Sequence, residues 1–596
     1  MIPSFHTPSP KYRLKFTGIR GMIPRNVALA TYLAFTLHGF LILTAQYRFS
    51  FDAYNHMFFG DHYRMDWWTL WEPRWYAGFS ITSYPPLVHQ LIGLLSHLLG
   101  LDAAFAALLW GTLTAYPLAI YAFSRIFLGR AASGYAALGA AVVPSVYLAG
   151  HAFGQLPTLM ATLAALFALA ALAQFLRKGG KLNGALSLSL FTVVLAAHHA
   201  TLLFLPWVVA GLVLHILLNE KVDRRRLFAR LAIFLPLAAV AGLLVIWPFW
   251  LWGRGQSIQV AIDHPSRHNF LTDPFAVKAF FLPIYGPLIA LIPFALWLSL
   301  RWRRYIGLGL VFLLLFILGL GDTTPLPRLL FRAGWEWLTY DRFAFWASLL
   351  LLPFLGVTTV LIHRRLPTYF GYKIRGRFPK IQLTRRSANS WPPMQLGHPR
   401  RWATAGVFVV MGAISLVIGT LATLMPFEPA KIEMQPIVRF LAEKDHTGWR
   451  YLTFGFGDQL AWLSTLTSAT TIDGSYHTAR GLPELRKSGI AQIDTAFWTV
   501  KGIRALYPIL QKSGGHGVRW GFVSLPVYIP ILRRSGWVKV TTLENGIQVW
   551  ENPAAVKPAP SPAPPNDSLA SFSWGVFPLL SLVIAATLTG IRLRRK

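Results

Sequence analysis

The feature that most constrains this chain is a recurrence of apolar runs about as long as a bilayer-spanning helix. Val27 to Gln46, Gly154 to Leu176, Val240 to Trp252, Tyr305 to Leu320, Phe343 to Ile362 and Ala403 to Leu424 carry few or no charges. Several approach the roughly 20 residues that cross a hydrocarbon core as helix. The chain therefore reads as a polytopic α-helical membrane protein, and its 54% hydrophobic and 13% charged composition lies outside the range of soluble globular domains.

The net charge of +33 could suggest nucleic acid, but Lys and Arg sit mostly in short loops between apolar runs, where they orient a membrane protein. No nucleic-acid partner is expected. The absence of Cys excludes a disulfide framework and a thiolate metal site. Lys11, Arg13, Lys15, Arg20 and Arg25 precede an apolar stretch too long for a signal-peptide core and without a small-residue cleavage site. That stretch, about 27 to 47, is the first anchor.

PPLVHQLIGLLSHLLG, residues 85 to 100, is borderline in length and carries His89, Gln90 and His97. If it spans, the basic loops downstream change sides repeatedly; if it lies in the interface, every one of them falls inside. The second choice gives about twelve helices, at 27 to 47, 103 to 127, 131 to 150, 154 to 176, 183 to 200, 201 to 218, 228 to 251, 276 to 300, 305 to 320, 343 to 362, 403 to 424 and 572 to 591. Both termini are then cytoplasmic. The domains are a basic N-terminus (1–26), a bundle (27–425) with an outer loop at 48–101, an extracytoplasmic domain (426–556), a Pro-rich tether (557–571), and a last helix with a basic tail (572–596).

The extracytoplasmic domain reads as small and α/β. WRYLTFGF, ATTIDG, VRWGFVS and WVKVTTL are expected strands; DQLAWLSTL, LPELRKSG, KGIRALYPILQKSG and YIPILRRSG are expected helices; Asn545-Gly546 marks a hairpin in ENGIQVWEN.

In this topology the acids gather on the outer side, most densely in residues 50 to 90. Asp52 and His56 share a face if the chain continues as helix, with Asp61 and His62 following. A carboxylate in a partly desolvated outer cavity could act as general base, or could hold a divalent ion with His56 and His62; the same pair also suits interfacial hydrogen bonds. Trp67, Trp68, Trp71, Trp75 and Tyr76 suit an aromatic belt as well as a surface for stacking sugars. Glu72 and Arg74 suit a local ion pair or a polar rim. Farther along, GHAFGQLP contributes His151 and Gln155, AAHHAT contributes His198 and His199, GDTTPLPR contributes Asp322 and Arg328, and LTYDRFAFW contributes Tyr340, Asp341 and Arg342. Polar groups at helix ends in a membrane are functional candidates, although Asp341 also suits a helix N-cap with a neighbouring salt bridge. No Walker loop, GxSxG elbow or HExxH occurs, so ATP does not drive the chemistry.

A first helix, an outer loop opening on an acid, two interfacial helices and a bundle ending in an outer domain resemble the GT-C superfamily of integral membrane glycosyltransferases. FDAYNHMFFGDHY, WEPRWYAGF, SYPPLVHQ, GQLPTL, HHAT and LTYDRFAFW resemble the bacterial membrane proteins called 6-pyruvoyl-tetrahydropterin synthase-related, and imply a GT-C bundle rather than pterin chemistry. The resemblance covers most of 27–360 and places the first-loop acid, which activates the acceptor or helps bind a metal, at Asp52. The second acidic motif, two acids one residue apart, is not evident, leaving Asp61 and Asp66 as candidate partners. The expected activity is transfer of a sugar from a polyprenyl-phosphate donor to a hydroxyl of a glycan, lipid or protein acceptor on the outer face of the bacterial cytoplasmic membrane, with Asp52 as general base. His56, Asp61, His62, Glu72, Arg74, Trp75, Gln155, His198, His199, Asp341 and Arg342 are the candidate substrate-binding residues. Arg342, Arg74, Arg328 or a bound cation would meet the phosphate. The candidate cofactor is a divalent cation, Mg or Mn, with Asp52 and His56 as candidate ligands. The rival readings are a non-catalytic lipid or glycan transporter, which predicts a polar path through the membrane, and a structural subunit that binds partners through its outer domain.

Overall fold

The computed structural model describes residues 24–375, 399–425, 428–558, 563 and 567–595. Most of the basic N-terminus, much of the basic loop from Arg364 to Arg401 and part of the Pro-rich tether lie outside the described residues. The chain is predominantly helical.

Among the described residues, ten helices are long and apolar enough to cross a membrane: α1 (Arg25–Leu43), Leu101–Ser124, Arg130–Ala152, Leu156–Lys178, Lys181–Leu203, Arg224–Arg254, Pro274–Arg301, Asp341–His363, Trp402–Gly419 and Ser568–Arg594. The shorter Leu205–Asn219 and Ile306–Leu318 pack on each other and occupy the places of the two other expected spans. The span expected at 276 to 300 is present as Pro274–Arg301, built of successive short helical segments rather than one continuous helix. Pro283, Pro287 and Pro293 each remove a backbone donor, and Gly286 sits at φ +47° with Pro144 against it.

The two ends of the bundle are held by different contacts. At one end Arg177 pairs with Glu220 at 2.9 Å, Arg304 donates to the Phe127 carbonyl at 2.6 Å and Arg230 donates to that of Leu176 at 2.7 Å. At the other, Tyr47 just past α1 donates to Asp102 at the start of the next span, 2.9 Å away. Residues 44–101 thus leave and re-enter the bundle at the same end. α2 (Ala53–Met65) and α3 (Leu87–Leu99) lie within this loop, and α3 does not cross. It buries His89, Gln90 and Gly93 and exposes Leu94, Leu98 and Leu99, an amphipathic pattern suited to an interface. Gly60 and Gly93 let α2 and α3 touch, since a Cβ on Gly93 would lie 2.9 Å from the Gly60 carbonyl oxygen.

The outer domain sits at this same end. A ribbon of β1 (Trp71–Glu72) and β2 (Phe79–Ser80) belongs to the loop; the domain's own sheet is ordered β3-β4-β6-β5 from β3 (Arg450–Phe454), β4 (Val518–Val523), β5 (Val538–Thr542) and β6 (Gln548–Glu551). β3 and β4 are parallel and the other pairs antiparallel, with the hairpin turning at Asn545-Gly546 as expected. Helices form at Gln459–Leu466, Pro483–Ser488, Val500–Ser513 and Ile529–Arg534, where they were expected. ATTIDG forms no strand beyond a single bridge to Tyr451. Its backbone is used elsewhere: Thr471 donates to the Arg74 carbonyl at 2.8 Å and accepts from Ala77 at 3.0 Å, joining the domain to the outer loop.

Candidate active site

Asp52 occupies the turn that leads into α2, and its backbone N–H donates to the Phe153 carbonyl at 3.0 Å. Gly154, at φ +68°, permits this approach; a Cβ there would stand 2.8 Å from the Ala53 nitrogen and 3.2 Å from that of Asp52. The GHAFGQ stretch therefore acts on Asp52 through its backbone, while Gln155 is half-buried at the start of the following helix.

The Asp52 carboxyl forms no cap with α2 and lies among polar groups, largely withdrawn from water. Withdrawal from water pushes it up to about 6; Arg342 and a hydrogen bond from Asn55 oppose the rise and Asp341 adds to it. It is thus ionised at neutral pH, yet more basic than an ordinary carboxylate. The Arg342 guanidinium also bears electrostatically on His56, His198, His199, Tyr84 and Tyr476, which come from distant stretches of the chain. Tyr84 is the hub of the wall, its ring 5.0 Å from those of His89 and Tyr476, 5.9 Å from His56 and 6.2 Å from His198.

Around Arg342 the protein leaves polar atoms unsatisfied. Its Nε, the Asp341 Oδ1 and the His199 Nδ1 are buried without a hydrogen-bond partner, and Arg342 enters no ion pair among the described residues. Neither the N-cap bond nor the salt bridge expected of Asp341 forms. Each of these atoms calls for a partner that the protein itself does not supply, water or a ligand. Of the three candidate phosphate arginines only this one is free: Arg328 forks onto Asp322 at 2.6 and 2.7 Å, and Arg74 is consumed as follows.

Asp61, His62, Glu72, Arg74 and Trp75, expected to bind substrate, instead form a buried clamp. Arg74 grips Glu72 with two bonds of 2.8 Å and Asp61 with one of 2.6 Å, and reaches the Ser464 carbonyl of the outer domain at 3.1 Å. His62 lies 3.0 Å from Glu72 and 2.8 Å from the Thr69 carbonyl, and Arg64 holds the other oxygen of Asp61. Trp75 stacks on Phe58 at 3.7 Å and donates to Ser464 Oγ at 2.9 Å. Burial alone would raise the Glu72 carboxyl, but Arg74 and His62 override it and hold it at about 2. These side chains spend their hydrogen bonds on one another and on the domain. Asp66 binds Thr69, and Trp68 lies at the exposed surface.

The candidate metal pair does not assemble either. His56 Nδ1 is 3.1 Å from His89 Nε2, Asp52 has Asn55 and Arg342 as its polar neighbours, and no group of three His, Asp or Glu side chains suited to a metal occurs among the described residues. The residues present do not fit the Mg or Mn centre expected from the sequence. His151 is also elsewhere, paired inside the bundle with His38 at 3.0 Å.

Sequence reasoning missed the outer domain's share of the site. Asn55 Nδ2 donates to Asp458 Oδ2 at 3.1 Å, and the Asp458 N–H donates to Glu428 at 2.8 Å. Burial raises both acids; Glu428 and Asp52 raise Asp458 further, while Asp494 and Asp52 raise Glu428 against the Asp458 N–H, which lowers it. Tyr476 donates to the Ser83 carbonyl at 3.2 Å. Beside the site, Ser266 Oγ accepts from the Tyr340 N–H at 2.9 Å and Arg267 donates to the Leu338 carbonyl at 2.9 Å. This wall also bounds a surface cleft of about 560 Å³ lined by Asp263, Arg267, His268, Asp322, Arg328 and Glu336.

With the geometry established, likeness to solved structures becomes informative. No protein-family model matches the sequence, and no curated protein matches it. The apo oligosaccharyltransferase of Archaeoglobus fulgidus superposes with a TM-score of 0.54 at 11% identity, over 83% of this chain and 69% of that one. The same organism's AglB, in complex with an inhibitory peptide and a dolichol-phosphate, superposes with a TM-score of 0.53 at 11% identity, over 84% and 69%. The fold is that of the GT-C glycosyltransferases. ArnT from Cupriavidus metallidurans bound to undecaprenyl phosphate gives 0.49 at 13% identity, over 90% of this chain and all of that one. With its ten apolar helices the chain is an integral membrane protein, and its small sheet domain docks at the end of the bundle that carries Asp52.

Proposed function

We propose that this protein is a membrane glycosyltransferase that moves a sugar from a polyprenyl-phosphate donor to an acceptor hydroxyl. In this reading the Asp52 end faces outward from the bacterial cytoplasmic membrane and both termini are cytoplasmic, with the bacterial family suggested by FDAYNHMFFGDHY and LTYDRFAFW as its closer kin. The observation that carries the reading is the pairing of a basic, ionised carboxylate with an arginine whose buried Nε has no partner, at one site. An AglB structure holding a dolichol-phosphate supports a lipid-phosphate donor.

Asp52 takes the proton of the acceptor hydroxyl as its oxygen bonds to the anomeric carbon. The bond from that carbon to the phosphate oxygen breaks, and the lipid phosphate leaves with its added negative charge facing the Arg342 guanidinium. A planar donor fork suits a phosphate, which explains an arginine here rather than a lysine. His198, His199, His56, Tyr84 and Tyr476 shape the sugar pocket. The exposed leucines of α3 face the lipid chain of the donor, and the acceptor approaches through the cleft beside Asp263 and Glu336.

The test is release of free polyprenyl phosphate from polyprenyl-phosphate sugars by purified protein in the presence of surface glycan acceptors. Asp52→Asn and Arg342→Gln should each abolish release while the protein stays folded. Arg439→Gln, which removes an exposed ion pair with Glu544, should leave it unchanged. Full release by Asp52→Asn would refute the assignment.

A further inference from the structure

Two arginines of the outer domain are buried without a counter-charge. Arg480 precedes the short helix Pro483–Ser488 and Arg486 belongs to it, and both are almost shut off from solvent. Arg480 donates to the Gln259 side chain at 3.2 Å and to the Ile490 carbonyl at 2.7 Å. Arg486 donates to the Arg480 carbonyl at 2.7 Å and to that of Ser257, while its own carbonyl accepts from the Val260 N–H at 2.9 Å. Neither enters an ion pair among the described residues, and Arg480 Nη2 and Arg486 Nε are buried with no partner at all. A buried guanidinium is ordinarily paired with an acid. Arg74 obeys that rule, with Glu72 and Asp61 as its counter-charges; Arg480 and Arg486 do not.

A third arginine joins them from the bundle side. Arg267, between the spans Arg224–Arg254 and Pro274–Arg301, spends Nε on the Leu338 carbonyl at 2.9 Å and Nη1 on that of Ile262, and it too has no ion pair among the described residues. Arg267 and Arg486 both line a cavity of about 430 Å³, together with Gln256, Gln259, His477 and Trp337. Trp337 is 51% exposed, an open ring of the kind on which a sugar stacks. The one acid in the lining is Glu336, which is exposed. Asp263 and Glu336 bear electrostatically on Arg267, and Asp473 on Arg480, but burial outweighs them and these cations remain short of counter-charge. The cavity shares Ile262, Arg267 and Glu336 with the larger cleft beside the candidate active site, so a chain lying in one continues into the other.

We propose that this cavity is a subsite for an anionic sugar of the acceptor glycan, one that bears a carboxylate or a phosphate, with Arg267 and Arg486 meeting the anion and Trp337 lying against the ring. Calling the ligand an acceptor rests on the glycosyltransferase reading; the anion site stands on its own residues. A guanidinium fork matches either anion with two parallel bonds, and Arg480 adds positive charge behind Arg486. The glutamines and backbone carbonyls are enough to tie residues 256–260 to the domain. They do not call for two unpaired cations on the wall of an open cavity. A neutral sugar would leave those cations as they are, so the site selects for charge by what it leaves unpaired.

The test uses the full-length protein in phosphatidylcholine nanodiscs and reads binding of D-glucuronate, D-glucose 6-phosphate and D-glucose by saturation-transfer difference NMR, with no turnover required. Both charged sugars should bind about tenfold more tightly than glucose, and Arg267→Gln should remove that advantage, the loss expected for hydrogen bonds to a charged group. Glu336→Gln takes away the opposing charge from a side chain that makes no hydrogen bond among the described residues, and should tighten both charged sugars about threefold. Misfolding cannot produce that gain, so this variant keeps the test decisive if Arg267→Gln does not fold. Equal binding of glucuronate and glucose, or no tightening in Glu336→Gln, overturns the anion site. Nanodiscs made with phosphatidylglycerol separate a sugar from a lipid headgroup: glucuronate binding should persist in them, and its loss would give the cavity to the headgroup and overturn the acceptor assignment. Glucuronate binding as expected, with no polyprenyl phosphate released on any acceptor, would overturn the glycosyltransferase reading and leave the anion site standing.

Discussion

Replacing Arg74 by methionine should undock the outer domain without unfolding the bundle. Arg74 is buried and makes four bonds, two to Glu72, one to Asp61 and one to the Ser464 carbonyl, while its guanidinium lies 4.6 Å from the centre of the Phe58 ring. Methionine keeps much of the apolar contact and removes the charge. Asp61 retains Arg64, so the loss falls mainly on Glu72, left buried with His62 and the backbone N–H of residue 74. Breaking a buried pair by deleting one partner costs about 3–5 kcal/mol, and the surviving Arg64 bond puts this case near the lower figure. At about 3 kcal/mol the undocked fraction rises roughly a hundredfold. Limited trypsin digestion of detergent-solubilised protein should then release a fragment of the outer domain at a temperature where the wild type resists, and Arg74→Lys, which cannot fork onto a carboxylate, should recover only part of the resistance. An unchanged digestion course in Arg74→Met would show that the clamp does not hold the domain.

Three other outcomes follow from the same geometry. Turnover should rise with pH through about 6, where Asp52 ionises, and an acid limb at the ordinary carboxylate value would contradict its withdrawal from water. Docking stability should also depend on pH, in two opposed senses. Burial pushes Asp494 up to about 7 and Asp473 to about 6, so their stabilising contribution is present below the unfolded carboxylate range and is lost as pH rises through those values, whereas Glu72, held at about 2, loses its contribution only as pH falls toward that value; thermal release of the domain should therefore come at higher temperature near pH 5 than near pH 8. Gly154→Val should abolish transfer, because the added side chain strains a left-handed backbone and collides with the turn holding Asp52, and a variant of wild-type activity would remove Gly154 from the account.

Much of the fold was legible because it follows from two averages, apolar length and the distribution of Lys and Arg. The latter decided correctly that α3 does not cross, and the Tyr47 to Asp102 contact shows why. The span expected at 276 to 300 is present, but composition gave no sign that its three prolines would segment it. The site was only half legible. Asp52, His198 and Arg342 stood out as polar groups at helix ends, and Arg342 bears electrostatically on both of the others. Asp61, His62, Glu72 and Arg74 stood out equally, but sequence shows that groups are near without showing whether they satisfy one another. Asp458 and Glu428 were missed because they reach Asp52 only through the docking of a domain some four hundred residues away, although the GFGD turn before a helix, in a domain resting on an acidic loop, was a signal that could have been weighed.

The measurement that bears most directly on the account compares surface glycans and polyprenyl-phosphate sugars, by mass spectrometry, in the parent strain, a deletion strain, and deletion strains carrying the wild-type gene or Asp52→Asn. The account predicts that the deletion strain loses one sugar from a surface glycan, glycolipid or glycoprotein and accumulates its lipid-phosphate donor, that the wild-type gene restores both, and that Asp52→Asn restores neither although the protein reaches the membrane at normal level. Identical profiles in all four strains, or full restoration by Asp52→Asn, would contradict it.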